Sequence, residues 1–155
     1  MAHQLRDEIK QRRPFRSLAQ EAHLSVMRTA ALLEHSFAEL VRPHGVTPTQ
    51  YNVLRILQGA GGEGLCRNEV RDRLVARVPD ASRLLDRLEE MGLVARERDA
   101  GDRRLVKTRI TPDGLATLAA LEGPVAAIHD RQFGQLDSGE LETLIGVLAR
   151  VRERL

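Results

Sequence analysis

Residues 93–110 read Leu93-Val94-Ala95-Arg96-Glu97-Arg98, then Asp99-Ala100-Gly101-Asp102, then Arg103-Arg104-Leu105-Val106-Lys107-Thr108-Arg109-Ile110. Side-chain character alternates on both sides of a segment rich in turn formers, which predicts two short strands around a charged turn. Immediately upstream the period is helical. A helix beginning near Pro79 turns Leu84, Leu85 and Leu88 inward and stops at Met91-Gly92, where glycine accepts the left-handed conformation that ends a helix. A short helix carrying Val70 and Leu74 precedes it. Before that, Val46-Thr47-Pro48-Thr49-Gln50 opens another: Thr47 can cap, Pro48 fits the first helical position and Gln50 completes a capping box. This one runs through Tyr51, Leu54 and Leu57 to a glycine cluster at 59–64.

Long amphipathic segments flank this centre. From Ser17 onward, Val26, Ala30, Leu33, Phe37 and Leu40 recur at spacings of 4, 3, 4 and 3, and the pattern ends before Pro43 and Gly45. A charged arm closed by Pro14 comes before it. Beyond the hairpin, Thr111-Pro112-Asp113-Gly114 restarts a helix whose alanine-rich body, residues 115–134, is expected to break or kink at Gly123-Pro124. A last helix begins near Asp137, capped by Asp137 or Ser138, and repeats Leu141, Leu144, Ile145, Leu148, Val151 and Leu155.

Composition narrows the function classes. At 155 residues the chain is one domain-sized unit, and 42% hydrophobic with 30% charged residues supports a buried core. Aromatic residues are only 3%, too few for the stacking platforms that read single-stranded nucleic acid. The net charge of +2 conceals a polarity: residues 67–110 hold 12 of the 24 Lys and Arg, whereas residues 111–155 hold 4 against 7 Asp and Glu. A polyanion would be met by the middle of the chain. All but Lys10 and Lys107 of these cations are arginine, whose planar fork suits phosphate and guanine. Cys66 is the one cysteine, so no intrachain disulfide forms. With no signal-like or membrane-length apolar run, the cytoplasm is the expected compartment.

Three helices followed by a basic hairpin describe a winged helix-turn-helix, in which one helix enters the major groove and the hairpin reaches the adjacent minor groove. The expected fold is mainly α with a small β-hairpin wing. Residues 1–45 are an N-terminal arm and dimerisation helix, 46–112 the DNA-binding domain and 113–155 C-terminal dimerisation helices. Outward positions on the recognition helix put Arg83 against guanine, Ser82 against base or phosphate and Asp80 against a cytosine amino group, with Pro79 on the same face. Arg77, Arg87 and Lys107 are placed on phosphates, where they fix register. Since one such domain spans few base pairs, a palindromic double-stranded operator and a homodimer are expected, the terminal apolar stripes supplying the interface.

The segment 46–114 resembles the MarR family of bacterial transcriptional regulators. Asp102-Arg103-Arg104, five residues and then Ile110-Thr111-Pro112-Asp113-Gly114 is similar to the family's wing signature, and Leu88-Glu89-Glu90-Met91-Gly92-Leu93-Val94 to its preceding segment. The resemblance implies that Arg104 enters the minor groove, with Arg103 beside it and Asp102 orienting the wing arginines, in keeping with the negative potential of a narrow groove. It implies a repressor released by a small aromatic or phenolic anion, for which His23, Met27, His35, His44 and Tyr51 are the candidate contacts. Two departures stand out: Val78-Pro79-Asp80 replaces a small polar series, and Cys66 stands where Ser or Thr usually caps.

Other readings are a redox-responsive regulator through Cys66, which needs an exposed thiol of lowered pKa, and a winged-helix interaction module that does not touch DNA. No metal-ligand spacing, cofactor loop or catalytic triad context is present, so no metal, no cofactor and no enzyme activity are expected.

Overall fold

The structure, a computed structural model, describes residues 4–155. It divides into two compact units, one ending at Pro48 and the other spanning Thr49–Leu155.

The first unit contains α1 (Leu5–Glu8), α2 (Leu18–Val41) and a single 3-10 turn, Arg42–His44. Ser17 starts α2 by accepting a hydrogen bond from the Gln20 amide at 3.1 Å. Gly45, at φ 77°, ends the turn that follows. The arm read as merely charged contains a helical turn whose Leu5 is buried. On α2 apolar surface is left uncovered: Val26 of the stripe is exposed, as are Met27 and Leu32 outside it.

The second unit takes in all but the first residue of α3 (Pro48–Ala60) and continues through β1 (Leu65–Cys66), α4 (Arg67–Arg73), α5 (Ala81–Glu90), β2 (Val94–Arg98), β3 (Val106–Ile110), α6 (Pro112–Phe133) and α7 (Ser138–Arg152). Its core collects Leu54 and Leu57 from α3, Val70 from α4, and Leu85 and Leu88 from α5, all almost completely buried. Asn52 on α3 accepts the Val75 amide at 2.9 Å and so ties α3 to the segment between α4 and α5.

The expected hairpin is present, with β2 and β3 antiparallel and in register from Val94 opposite Ile110 to Arg98 opposite Val106. A third strand joins it: β1 pairs on the other side of β3, Leu65 opposite Thr108, giving the order β1-β3-β2. Gly64 permits this approach, at φ +69° and so close that a Cβ there would lie 2.7 Å from the Thr108 carbonyl oxygen.

Three expectations are corrected. The recognition helix starts at Ala81, not near Pro79, because the Asp80 carboxylate accepts the Arg83 amide at 3.0 Å and makes Asp80 the cap. Its inward row is consequently Ala81, Leu85 and Leu88, with Leu84 only half-buried. Helix α4 stops at Arg73, leaving Leu74 extended at its C-terminus. Finally, α6 is not broken at Gly123-Pro124: it runs from Pro112 to Phe133, Pro124 inside it. Proline removes one backbone bond there, but Leu118, Leu121, Val125 and Ile128 are buried on both sides of it and keep the helix continuous, so the expected break is absent.

At the start of α6, Thr111 plays two parts. Its hydroxyl accepts the Gly114 amide at 3.2 Å as a cap and donates to the Gly92 carbonyl at 2.7 Å, just past the end of α5. Downstream, Asp137 caps α7 and Glu140 reaches back to its amide, a complete capping box.

Candidate nucleic-acid interface

Helix α5 offers its N-terminal turn and one polar face to solvent. Arg83 is exposed, and among the described residues its guanidinium has no hydrogen-bond or ion-pair partner. Ser82 is half-buried, and its hydroxyl accepts from the Arg67 guanidinium at 3.0 Å, so its orientation is set by the first residue of α4. Asp80 spends its carboxylate on the cap, and Pro79 is exposed on the segment before the helix rather than on its face. Arg77 is exposed on the same segment. Arg87, one turn after Arg83, pairs with Glu90 at 3.2 Å, both side chains largely in water.

The wing turn is internally wired, and the wiring consumes its acids. Asp99 accepts the amides of Gly101 and Asp102, each at 3.1 Å, and meets the Lys107 ammonium at 3.2 Å. The Lys107 hydrogen bond, followed by the Asp102 amide, holds the Asp99 carboxyl below the usual aspartate range. Asp102 accepts the Arg104 amide at 3.0 Å, so it orients the backbone of the wing arginine and not its guanidinium. Lys107, placed on phosphate by the sequence reading, is partnered by Asp99 in the free protein. Arg103 and Arg104 project from this turn, exposed and without a partner among the described residues.

Behind the wing, Arg96 of β2 bridges back to α5, bonding Asp86 and Glu89 together. Arg67, Arg96 and Asp99 went unread as site residues. For Arg96 the one sequence signal is the acidic pair Asp86 and Glu89 on the helix that precedes it.

The effector candidates fall in both units. His23, Met27, His35 and His44 are exposed in the first unit, and Tyr51 is half-buried in the second. A cavity of about 350 Å³ lies between α4, α5 and the wing, lined by Arg67, Ser82, Leu85, Arg96 and Arg104 among others and by none of those five. Cys66 also borders it. Burial, followed by the Glu69 carboxylate, pushes the Cys66 thiol up, and the residue is half-buried, the opposite of the reactive thiol that redox sensing requires. Among the described residues no group of three or more His, Cys, Asp and Glu could hold a metal ion. No helix among them is long and apolar enough to cross a membrane.

Wing and recognition helix in this order match known proteins. A model of the MarR family covers residues 44–105. The crystal structure of a MarR transcription factor from Planctomyces limnophilus is 39% identical, with a TM-score of 0.67 over 88% of this chain and 98% of that one. The chain belongs to the MarR family. A transcriptional regulatory protein assigned to the hcr operon of Thauera aromatica is 30% identical over 137 residues, 87% of this chain and 81% of its own. The S. aureus MepR–DNA complex, 23% identical, shares the fold at a TM-score of 0.77 over 86% of this chain and 97% of that one. As a MarR protein, the chain is a transcriptional regulator with a winged helix-turn-helix.

Proposed function

We propose that this MarR regulator is a cytoplasmic homodimeric repressor that reads a palindromic double-stranded operator, carries out no catalysis and leaves DNA when a small aromatic or phenolic anion binds. Helix α5 lies in the major groove with Arg83 on guanine and Ser82 on base or phosphate. The wing lies in the adjacent minor groove with Arg104 inserted and Arg103 beside it. Arg77, Arg87 and Lys107 hold phosphates, Lys107 exchanging its Asp99 partner for one.

One observation carries this reading: Arg83, Arg103 and Arg104 are exposed cations with no partner among the described residues, on a turn and a helix whose acids are committed to caps and bridges. Free guanidinium groups at two elements that a duplex can touch at once are what a polyanion requires. MepR, of the same fold, was crystallised on DNA, which supports the docking mode.

The dimer is supported by apolar surface. Ile145, Val147 and Val151 of α7 are each about half exposed or more, and Val26, Met27 and Leu32 leave α2 similarly bare. Residues 1–45 and 113–155 would cover these faces in a second copy, leaving 46–112 to the operator. For the anion, His23, Met27, His35, His44 and Tyr51 remain the candidate contacts.

The test is selection of bound fragments from genomic DNA followed by footprinting. Two protected half-sites about one helical turn apart, with an affinity that falls steeply with salt, are expected. Failure to retain any fragment at low salt would leave the interaction-module reading in its place.

A further inference from the structure

The helix that reads bases and the wing that reads the neighbouring groove act together only if their separation is fixed. Packing fixes it only in part: Leu85, Leu88 and Val94 are buried where α5 meets the sheet, but a cavity of about 350 Å³ opens beside them, lined by Leu85 of the helix and by Arg104, Leu105 and Val106 of the wing. Among the described residues, one polar bridge joins the helix to β2 here. The Arg96 guanidinium on β2 bonds the Asp86 carboxylate and, at 3.2 Å, the Glu89 carboxylate, both on α5. The other Glu89 oxygen accepts the Arg96 amide at 3.1 Å, so the helix holds both the side chain and the main chain of this strand residue. Arg96 is the most sequestered arginine of the described ion pairs, its side chain 24% exposed, whereas the Arg87 pair on the same helix is 67% exposed on each side.

We propose that Arg96 is a positioning residue for operator recognition: by clamping Asp86 and Glu89 it sets the spacing between the recognition helix and the minor-groove arginine Arg104. This rests on the DNA-reading function proposed above. The bridge touches no base and exerts its effect through Arg104. One guanidinium nitrogen, Nη2, meets both carboxylates, so the strand is held to two points on the helix, which defines both distance and rotation.

Electrostatics and positioning predict opposite signs for one variant. Replacing both acids, Asp86→Ala with Glu89→Ala, removes two negative charges from a helix facing a polyanion, which by charge alone tightens binding to any duplex. Loss of the clamp instead weakens binding to the selected operator, by roughly tenfold as expected for coupled contacts, while a scrambled duplex of equal length binds as well or better. Arg96→Met is the second variant, and Arg96→Lys, whose ammonium can still meet two carboxylates, should recover part of its loss. Each is combined with Arg104→Ala. The penalty for Arg104→Ala should shrink in the unclamped background, since a displaced arginine has less to lose. Equal penalties in both backgrounds, or operator and scrambled affinities rising together in the double-alanine variant, would overturn the proposal. Should Arg104→Ala cost nothing even with the clamp intact, the DNA reading itself fails, and the clamp with it.

Discussion

Truncating Arg104 separates wing insertion from mere electrostatic attraction. In the free protein its guanidinium has no partner among the described residues, and the Asp102 bond goes to its backbone amide, which alanine retains. Arg104→Ala therefore removes no hydrogen bond or ion pair of the folded state, and the change in unfolding free energy should stay within about 0.5 kcal/mol. On DNA the loss is larger. A specific arginine contact is worth about 1–3 kcal/mol, and a dimer makes it twice, so even at the lower bound operator affinity should fall about 30-fold. Two fewer cations on the duplex should also make the log–log salt slope shallower by about 2. Fluorescence anisotropy with an operator duplex over a salt series measures both, thermal unfolding supplies the stability control, and Arg131→Ala, exposed on α6, is the charge control. Unchanged affinity and slope in a folded Arg104→Ala dimer would refute the reasoning.

Ile145→Asp places a charge where a single chain meets water and a dimer meets apolar surface; sedimentation should show a folded monomer with operator affinity lower by about 100-fold or more. Gly114→Ala forces a Cβ into the Leu93 carbonyl oxygen and to 2.6 Å from the Ile110 side chain, so denaturant unfolding should report a loss of about 2 kcal/mol or more. Asp99 has a folded-state pKa below its unfolded one, so its contribution is present above the ordinary aspartate range and disappears as pH falls through the folded value. Asp99→Asn should accordingly flatten the acid limb of the stability profile between about pH 5 and pH 2, read from urea midpoints.

Helix order and the hairpin were legible because each rests on local chemistry: alternation in 94–98 and 106–110, capping residues before α6 and α7, and glycine at 92. Strand β1 was hidden, since two residues make no period, and only the bare Gly64 backbone beside Thr108 allows the pairing. The start of α5 was misread because proline and aspartate both signal a helix start, and the carboxylate that can bond an amide prevails. Pro124 was weighed by its local cost and not by the burial on either side of it. Among candidate site residues, the wing arginines stood out through the likeness of 102–114 to the family's wing signature. The Arg96 clamp did not, because its partners come from a different element and only the folded geometry brings them to one guanidinium.

Helix α6 has a mechanical consequence that follows from its continuity. Its 22 residues make a rod about 33 Å long, and Thr111 welds the near end to Gly92 directly behind the recognition helix. A tilt of about five degrees over that length displaces one end by about 3 Å relative to the other, close to the rise of one base pair. The one backbone bond missing at Pro124 makes the middle of the rod its most compliant point, so the lever can flex there without loosening its grip on the reading head.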